Sequence, residues 1–209
     1  MVRRSVWKEN PGRGPGGAIP PHSTVSLVVD LTLAAWALLE LGVRVRESVQ
    51  GKGGRHRDRG TRILVALALC VSIGTAVAAP LAQSLPTLAP LRASGLVVMW
   101  LGLALRVWSI AALGGDFRTT VEVEPGQAVV STGPYRWVRH PSYTGLLLIA
   151  AGLGVARSEW VSLAACVLLL LPALVRRIHV EEAELDYVLG DAYRNYQSNT
   201  TARLIPRLW

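Results

Sequence analysis

Five apolar stretches, separated by more polar connections, run from residue 24 to residue 175 and leave the chain few ways to fold. A run of about 20 apolar residues is the length an α-helix needs to cross a hydrocarbon core. Backbone amides in lipid must find partners within their own segment, so such runs are expected as helices. The stretches are 24–43, 63–81, 91–113, 143–156 and 160–175. Composition agrees. The chain is 51% hydrophobic and only 17% charged, with a mean hydropathy of +0.35, too apolar for an average soluble domain. The expected fold is an all-α polytopic membrane protein of about five transmembrane helices. It ends in a helical hairpin followed by a cytoplasmic amphipathic helix.

The net charge of +8 does not point to nucleic acid, because the basic residues flank apolar runs. Topology and anionic lipid explain them better. Arg44, Arg46, Lys52, Arg55, Arg57, Arg59 and Arg62 crowd the loop 44–62, against Glu47 and Asp58. The positive-inside bias therefore puts that loop in the cytoplasm and the N-terminus outside. Residues 1–22 read as a flexible arm, since the Gly- and Pro-rich stretch 11–17 cannot hold a helix. The arm lacks the apolar core of a signal peptide. Residues 23–113 form three N-terminal spans, and 114–209 form a region carrying the chemistry. Cys70 and Cys166 lie in apolar runs with no metal-ligand spacing around them.

Within the second region, 121–123 and 128–130 read as short extended pieces around a turn at 124–127. Gly145, Gly152 and Gly154 are expected to let the helices of the hairpin approach closely. Pro172 is expected to kink the last span toward protein or a cavity, since a freed carbonyl facing lipid is costly. Asp30, Glu40 and Arg106 are ionisable groups inside or at the ends of spans. Arg106 can either snorkel to the inner surface or point into a site.

Two polar clusters bracket the hairpin. The first is 133–145, with Arg139 beside the start of a helix, Pro141 suited to its first turn, and Tyr135, Trp137 and Tyr143 as flat faces. A guanidinium can grip a carboxylate with two hydrogen bonds, helix N-terminal amides favour anions, and aromatic faces attract cations. The second cluster holds Glu181 and Glu182 and returns to the same side. An acid pair facing an arginine across a small mouth suits the two charges of an amino-acid headgroup. Taken singly, each residue is better explained as an interfacial anchor or a helix-dipole partner; it is the two clusters joined by one hairpin that favour a site.

Gly133-Pro134-Tyr135, Arg139-His140-Pro141-Ser142-Tyr143-Thr144-Gly145, Glu181-Glu182, Leu185, Gly190-Asp191-Ala192-Tyr193, Tyr196, Arg203 and Pro206 together resemble the isoprenylcysteine carboxyl methyltransferase family. The pattern covers the C-terminal third to half of the chain, and a wider superfamily with phospholipid methyltransferases and membrane sterol reductases shares it. The N-terminal spans are similar only in being hydrophobic. The resemblance implies S-adenosyl-L-methionine as cofactor, reached from the cytosol. It implies Tyr135, Arg139, His140, Pro141, Tyr143, Glu181 and Glu182 around that cofactor. Arg139, Glu182 and Arg203 are then the catalytic candidates, and Tyr193, Tyr196 and Arg106 the substrate-binding ones. The expected partners are a lipophilic or lipidated acceptor and membrane lipids, with no nucleic acid. An NADPH-dependent reductase and a non-enzymatic lipid-binding protein are the alternatives. The acid pair argues against the first, because it repels phosphates.

Overall fold

The computed structural model describes residues 24–49, 60–78, 88–117, 128–206 and 209. The arm 1–22, most of the basic loop 44–62 and the expected turn at 124–127 lie outside them. All regular elements among the described residues are helical. They are α1 (Thr24–Val49), α2 (Thr61–Ala78), α3 (Ala89–Leu113), α4 (Pro141–Arg157), α5 (Trp160–Ala165), α6 (Leu171–Leu189) and α7 (Asp191–Asn199). Short 3-10 turns lie at Gly114–Asp116 and Gly133–Arg136; residues 128–130 carry no regular secondary structure, and the other expected extended piece, 121–123, lies outside the described residues.

Among the described residues, three helical rods are long and apolar enough to cross a membrane: Thr24–Val49, Ala89–Leu113 and Trp160–Leu189. α2 is a shorter apolar helix, and the 17-residue α4 lies against α3. α1 extends six residues beyond the expected boundary at 43, so Arg44 and Arg46 belong to the helix rather than to the loop. Its leucines Leu27, Leu31, Leu38 and Leu41 are exposed. That exposure fits a lipid-facing surface, since lipid tails are as apolar as leucine.

The tightest packing joins α3 to α4, and glycine makes it possible. Gly95 and Gly102 on α3 meet Gly152 and Gly145 on α4, each pair seven residues apart along its helix. A Cβ on Gly95 would sit 2.4 Å from Ala156 N, and one on Gly152 would sit 2.6 Å from Met99 N. Two of the three glycines expected inside the hairpin thus face α3 instead. Gly154 faces Leu163 across the turn into α5. That turn is closed by Ser158 in the left-handed region (φ 60) and by Glu159 N–H on Gly154 O at 2.8 Å, the usual way to satisfy a helix's last carbonyls.

Polar contacts tie the rods at both ends. At one end Arg157 pairs with Asp30, and Arg92 donates to Ala156 O at 3.1 Å and to Ser26 Oγ at 3.1 Å. At the other, Arg106 pairs with Glu40 of α1 and donates to Ser142 Oγ of α4 at 2.6 Å.

The last rod corrects two expectations. It does not stop at 175 to restart as a separate surface helix. Apolar and amphipathic parts form one helix from Trp160 to Leu189. Pro172 does not open a kink toward protein or a cavity. A π-helical turn, Cys166–Leu170, precedes it, and Pro172 with Val167, Leu168 and Leu169 is exposed. The wider turn accommodates the missing N–H locally. Gly190 (φ 55) then ends the rod, and α7 packs beside it.

Candidate functional site

The site lies where α4 begins and α6 nears its end, and the C-terminal segment fastens it. The backbone of 139–140 pairs with that of 202–203: Arg139 N–H donates to Ala202 O and His140 N–H to Arg203 O, both at 2.9 Å. Thr144 Oγ1 donates to Leu204 O at 2.7 Å. Arg139 adds side-chain bonds to Thr200 O (2.9 Å) and Thr201 O (3.1 Å). Pro141 occupies the first helical position of α4, where a missing N–H costs nothing. The next amides, of Tyr143 and Thr144, turn back on His140 O at 3.1 and 3.2 Å.

Glu182 is the hub. Its side chain is 7% exposed and receives Arg139 Nε at 2.8 Å, His140 Nε2 at 3.2 Å and Arg203 Nε at 3.0 Å. The sequence suggests that the arginine and the acids face each other across a gap. In the structure Arg139 and Glu182 are bonded directly, because two buried opposite charges hydrogen-bonded to each other offset their own desolvation. Both are thereby engaged in bracing the C-terminal segment against α4 and α6.

Glu181 is arranged differently. Its side chain is 29% exposed. Oε2 accepts a hydrogen bond from Tyr143 OH at 2.6 Å, while Oε1 lies 3.9 Å from His140 Nδ1, beyond hydrogen-bond reach. The ring of Tyr143 stacks on His140, with centroids 5.6 Å apart. Around these residues stand Tyr135, Tyr193 and Tyr196, a buried cluster backed by Leu185 and Leu189. Tyr196 OH donates to Tyr135 O at 2.7 Å. Tyr193 OH is buried and has no hydrogen-bond partner among the described residues, which is uncommon enough to ask what it serves. Burial, then the neighbouring Glu181 carboxylate, raises the Tyr135 phenol above its ordinary value. Burial, then Glu182, does the same to Tyr193, and burial dominates at Tyr196. All three stay protonated donors at neutral pH.

The structure thus brings together Tyr135, Arg139, His140, Pro141, Tyr143, Glu181, Glu182, Tyr193, Tyr196 and Arg203. Arg106 borders them: it is 4% exposed and bonded to Glu40 and to Ser142, between Pro141 and Tyr143. The residue pattern does not single out Arg177 as a site residue. The structure has it donate from Nε to Tyr143 OH at 2.7 Å. Its position four residues before Glu181, on the same helix face, was the available signal. The carbonyls of Thr200 and Thr201 were missed altogether, since backbone acceptors leave no trace in residue types. Among the described residues, no group of His, Cys, Asp and Glu is arranged to hold a metal ion.

The ends of the basic loop also lie here. Arg46, late in α1, donates to Gly114 O at 2.7 Å. Thr61, the first residue of α2, accepts from Arg177 Nη1 at 3.2 Å. The described residues that flank 50–59 therefore lie at the same end of the bundle as the site.

Comparison with known proteins places this arrangement. Residues 95–187 match the isoprenylcysteine carboxyl methyltransferase family. The probable protein-S-isoprenylcysteine O-methyltransferase of Oryza sativa subsp. indica is 31% identical over 104 residues, covering 49% of this chain and 54% of its own. An uncharacterized Bacillus subtilis protein, YpbQ, is 37% identical over 57 residues, 23% of this chain and 34% of its own. The chain thus spans about a third to a half of the curated relatives it matches. The solved structure of a eukaryotic intramembrane Ras methyltransferase superposes with a TM-score of 0.61 at 22% identity, covering 91% of this chain and 69% of that one. At that identity the likeness establishes the fold.

Proposed function

We propose, from the match of residues 95–187 to the isoprenylcysteine carboxyl methyltransferase family, that the chain is an integral membrane methyltransferase. It uses S-adenosyl-L-methionine and methylates a lipophilic acceptor, with a carboxylate as the preferred acceptor group. The observation that carries this reading is Glu181. It is a carboxylate with one oxygen held by Tyr143 and the other open, set among buried aromatic rings. Such a site recognises an organic cation, since aromatic faces and an anion both attract positive charge. The orphaned hydroxyl of Tyr193 supplies a further donor or acceptor inside the same enclosure. These residues fit the cofactor, which carries an ammonium and a sulfonium.

That cofactor brings a methyl group already activated for transfer. The protein's task is then to position the groups and keep water out. Glu181 holds positive charge, and Tyr135, Tyr143 and Tyr193 wall the space. Glu182 keeps Arg139, His140 and Arg203 at fixed positions and so holds the C-terminal segment closed. Arg203, 28% exposed at its side chain, is the guanidinium best placed to meet an acceptor carboxylate. An ionised carboxylate attacks without a general base. An amine or alcohol acceptor needs one, and Glu181 is the candidate. The apolar part of the acceptor reaches the site sideways from the bilayer. A site facing the cytoplasm is supported by the positive-inside bias of the basic sequence 44–62, whose described ends lie beside the site.

Equilibrium binding to the detergent-purified full chain tests the reading. S-adenosyl-L-methionine is expected to bind and NADPH to bind far more weakly. Preference for NADPH would overturn the proposal in favour of a reductase, and binding of neither would favour a non-enzymatic role.

A further inference from the structure

We infer that Arg177 is a positioning residue that sets the cation-binding carboxylate through Tyr143; the inference rests on the reading of Glu181 given above. Arg177 lies in α6, is 4% exposed, and touches neither Glu181 nor Glu182 by a direct hydrogen bond among those described. Its Nε donates to Tyr143 OH at 2.7 Å, and that hydroxyl donates to Glu181 Oε2 at 2.6 Å. Nη1 is fixed in turn by Thr61 Oγ1 at 3.2 Å. The chain of bonds thus runs from the first residue of α2, through α6 and α4, back to α6.

The chemistry of the two ends gives this chain a direction. A guanidinium has five donors and no acceptor, whereas a phenol has one proton to give. With Arg177 filling a lone pair of Tyr143 OH, the phenolic proton cannot turn toward Arg177. It is directed at Glu181. One carboxylate oxygen is thereby occupied, the rotamer is held, and the other oxygen is left to face a ligand. Without Arg177, Tyr143 OH is free to rotate, and the carboxylate loses its fixed geometry while keeping its charge. Holding a binding group through a second residue in this way preserves affinity by cutting the ordering cost paid on binding. Arg177 does this from α6, and Thr61 makes the start of α2 part of the same support.

A double-mutant cycle decides the matter, with S-adenosyl-L-methionine as the probe and the detergent-purified full chain as the protein. Arg177→Gln and Tyr143→Phe are each expected to weaken binding by about tenfold. The double variant is expected to be no weaker than Tyr143→Phe alone within about twofold, because both act on one oxygen of Glu181. Arg177→Lys, which retains a donor able to reach the phenol, is expected to recover most of the loss. A purely structural role for Arg177 would give losses that multiply in the double variant and no rescue by lysine, and that result overturns the inference. Should Arg177→Gln not fold, Tyr143→Phe decides alone: wild-type affinity removes the relay. Failure of the unaltered protein to bind the probe removes the methyltransferase reading and the inference with it. Binding by the unaltered protein with an additive cycle removes only the inference.

Discussion

Glu181 and Glu182 are adjacent in the chain but have opposite environments. Successive side chains on a helix diverge by roughly 100°. That rotation turns Glu182 into the packed seam with Arg139, His140 and Arg203 and leaves Glu181 beside the tyrosines. Removing each acid should therefore give different losses. Glu182→Ala strands buried charges and is expected to cost about 3–5 kcal/mol of stability, read as a large fall in thermal midpoint in detergent. Glu181→Gln is expected to keep the midpoint within a few degrees of wild type and to lower affinity for S-adenosyl-L-methionine at least about tenfold. Equal thermal losses in the two variants would contradict the division of labour. Tyr193→Phe offers a sharper trade. Deleting a buried hydroxyl that has no partner relieves a desolvation cost, so the ligand-free protein is expected to gain about 1 kcal/mol. Affinity for the cofactor should fall, because that hydroxyl serves the ligand rather than the fold. A variant that loses stability and keeps its affinity would place the hydroxyl in the fold instead.

At the scale of helices, the α3–α4 contact is the most exacting. Its glycines leave space for neighbouring backbone, which cannot give way as a side chain can. Gly95→Ala and Gly152→Ala place a methyl 2.4 and 2.6 Å from backbone nitrogens. Each is expected to destabilise by about 1–3 kcal/mol or more. Gly154→Ala meets the flexible side chain of Leu163 at 2.9 Å and should cost less. Gly42→Ala and Gly74→Ala meet nothing within 4 Å and should be neutral or slightly stabilising, as alanine is the better helix former. Thermal unfolding of the series checks the ranking. Equal effects at Gly42 and Gly152 would refute the account of the seam. The π-helical turn ahead of Pro172 belongs at this scale too. It lets one continuous rod of 30 residues carry both an exposed apolar half and the two acids.

For the molecule as a whole, the C-terminal segment and the tyrosine cluster close one end of an otherwise apolar bundle, and that closure is sensitive to alkali. Tyr135, Tyr193 and Tyr196 have their phenols raised by burial. In the unfolded chain they ionise near the ordinary value of about 10. Below that pH the folded and unfolded forms bind the same phenolic protons. Above it the unfolded form releases protons that the folded form keeps, so stability falls as pH rises. Each such tyrosine contributes up to about 1.4 kcal/mol per pH unit to that fall. Thermal midpoints are expected to hold between pH 8 and about 10 and to drop beyond it, less steeply in Tyr193→Phe than in wild type. A variant whose midpoint tracks the wild type through that range would show that Tyr193 ionises in the folded state as it does in the unfolded one.

The residue pattern by itself determined that this chain is a helical membrane protein with a polar site at one end of its last two spans. Run length and hydropathy act locally, and lipid permits few alternatives to a helix. Tertiary structure decided the partners. Which face a glycine presents depends on the neighbour it meets, so Gly145 and Gly152 seat α3 rather than the hairpin. Which of two adjacent acids is filled and which is open depends on where 200–204 returns, and its backbone carbonyls are invisible in residue types. In the residue pattern Arg106 can either snorkel to the surface or point into a site, since a buried cation in a span is costly. The structure satisfies it with Glu40, more than sixty residues away, a pairing that only the assembled bundle creates.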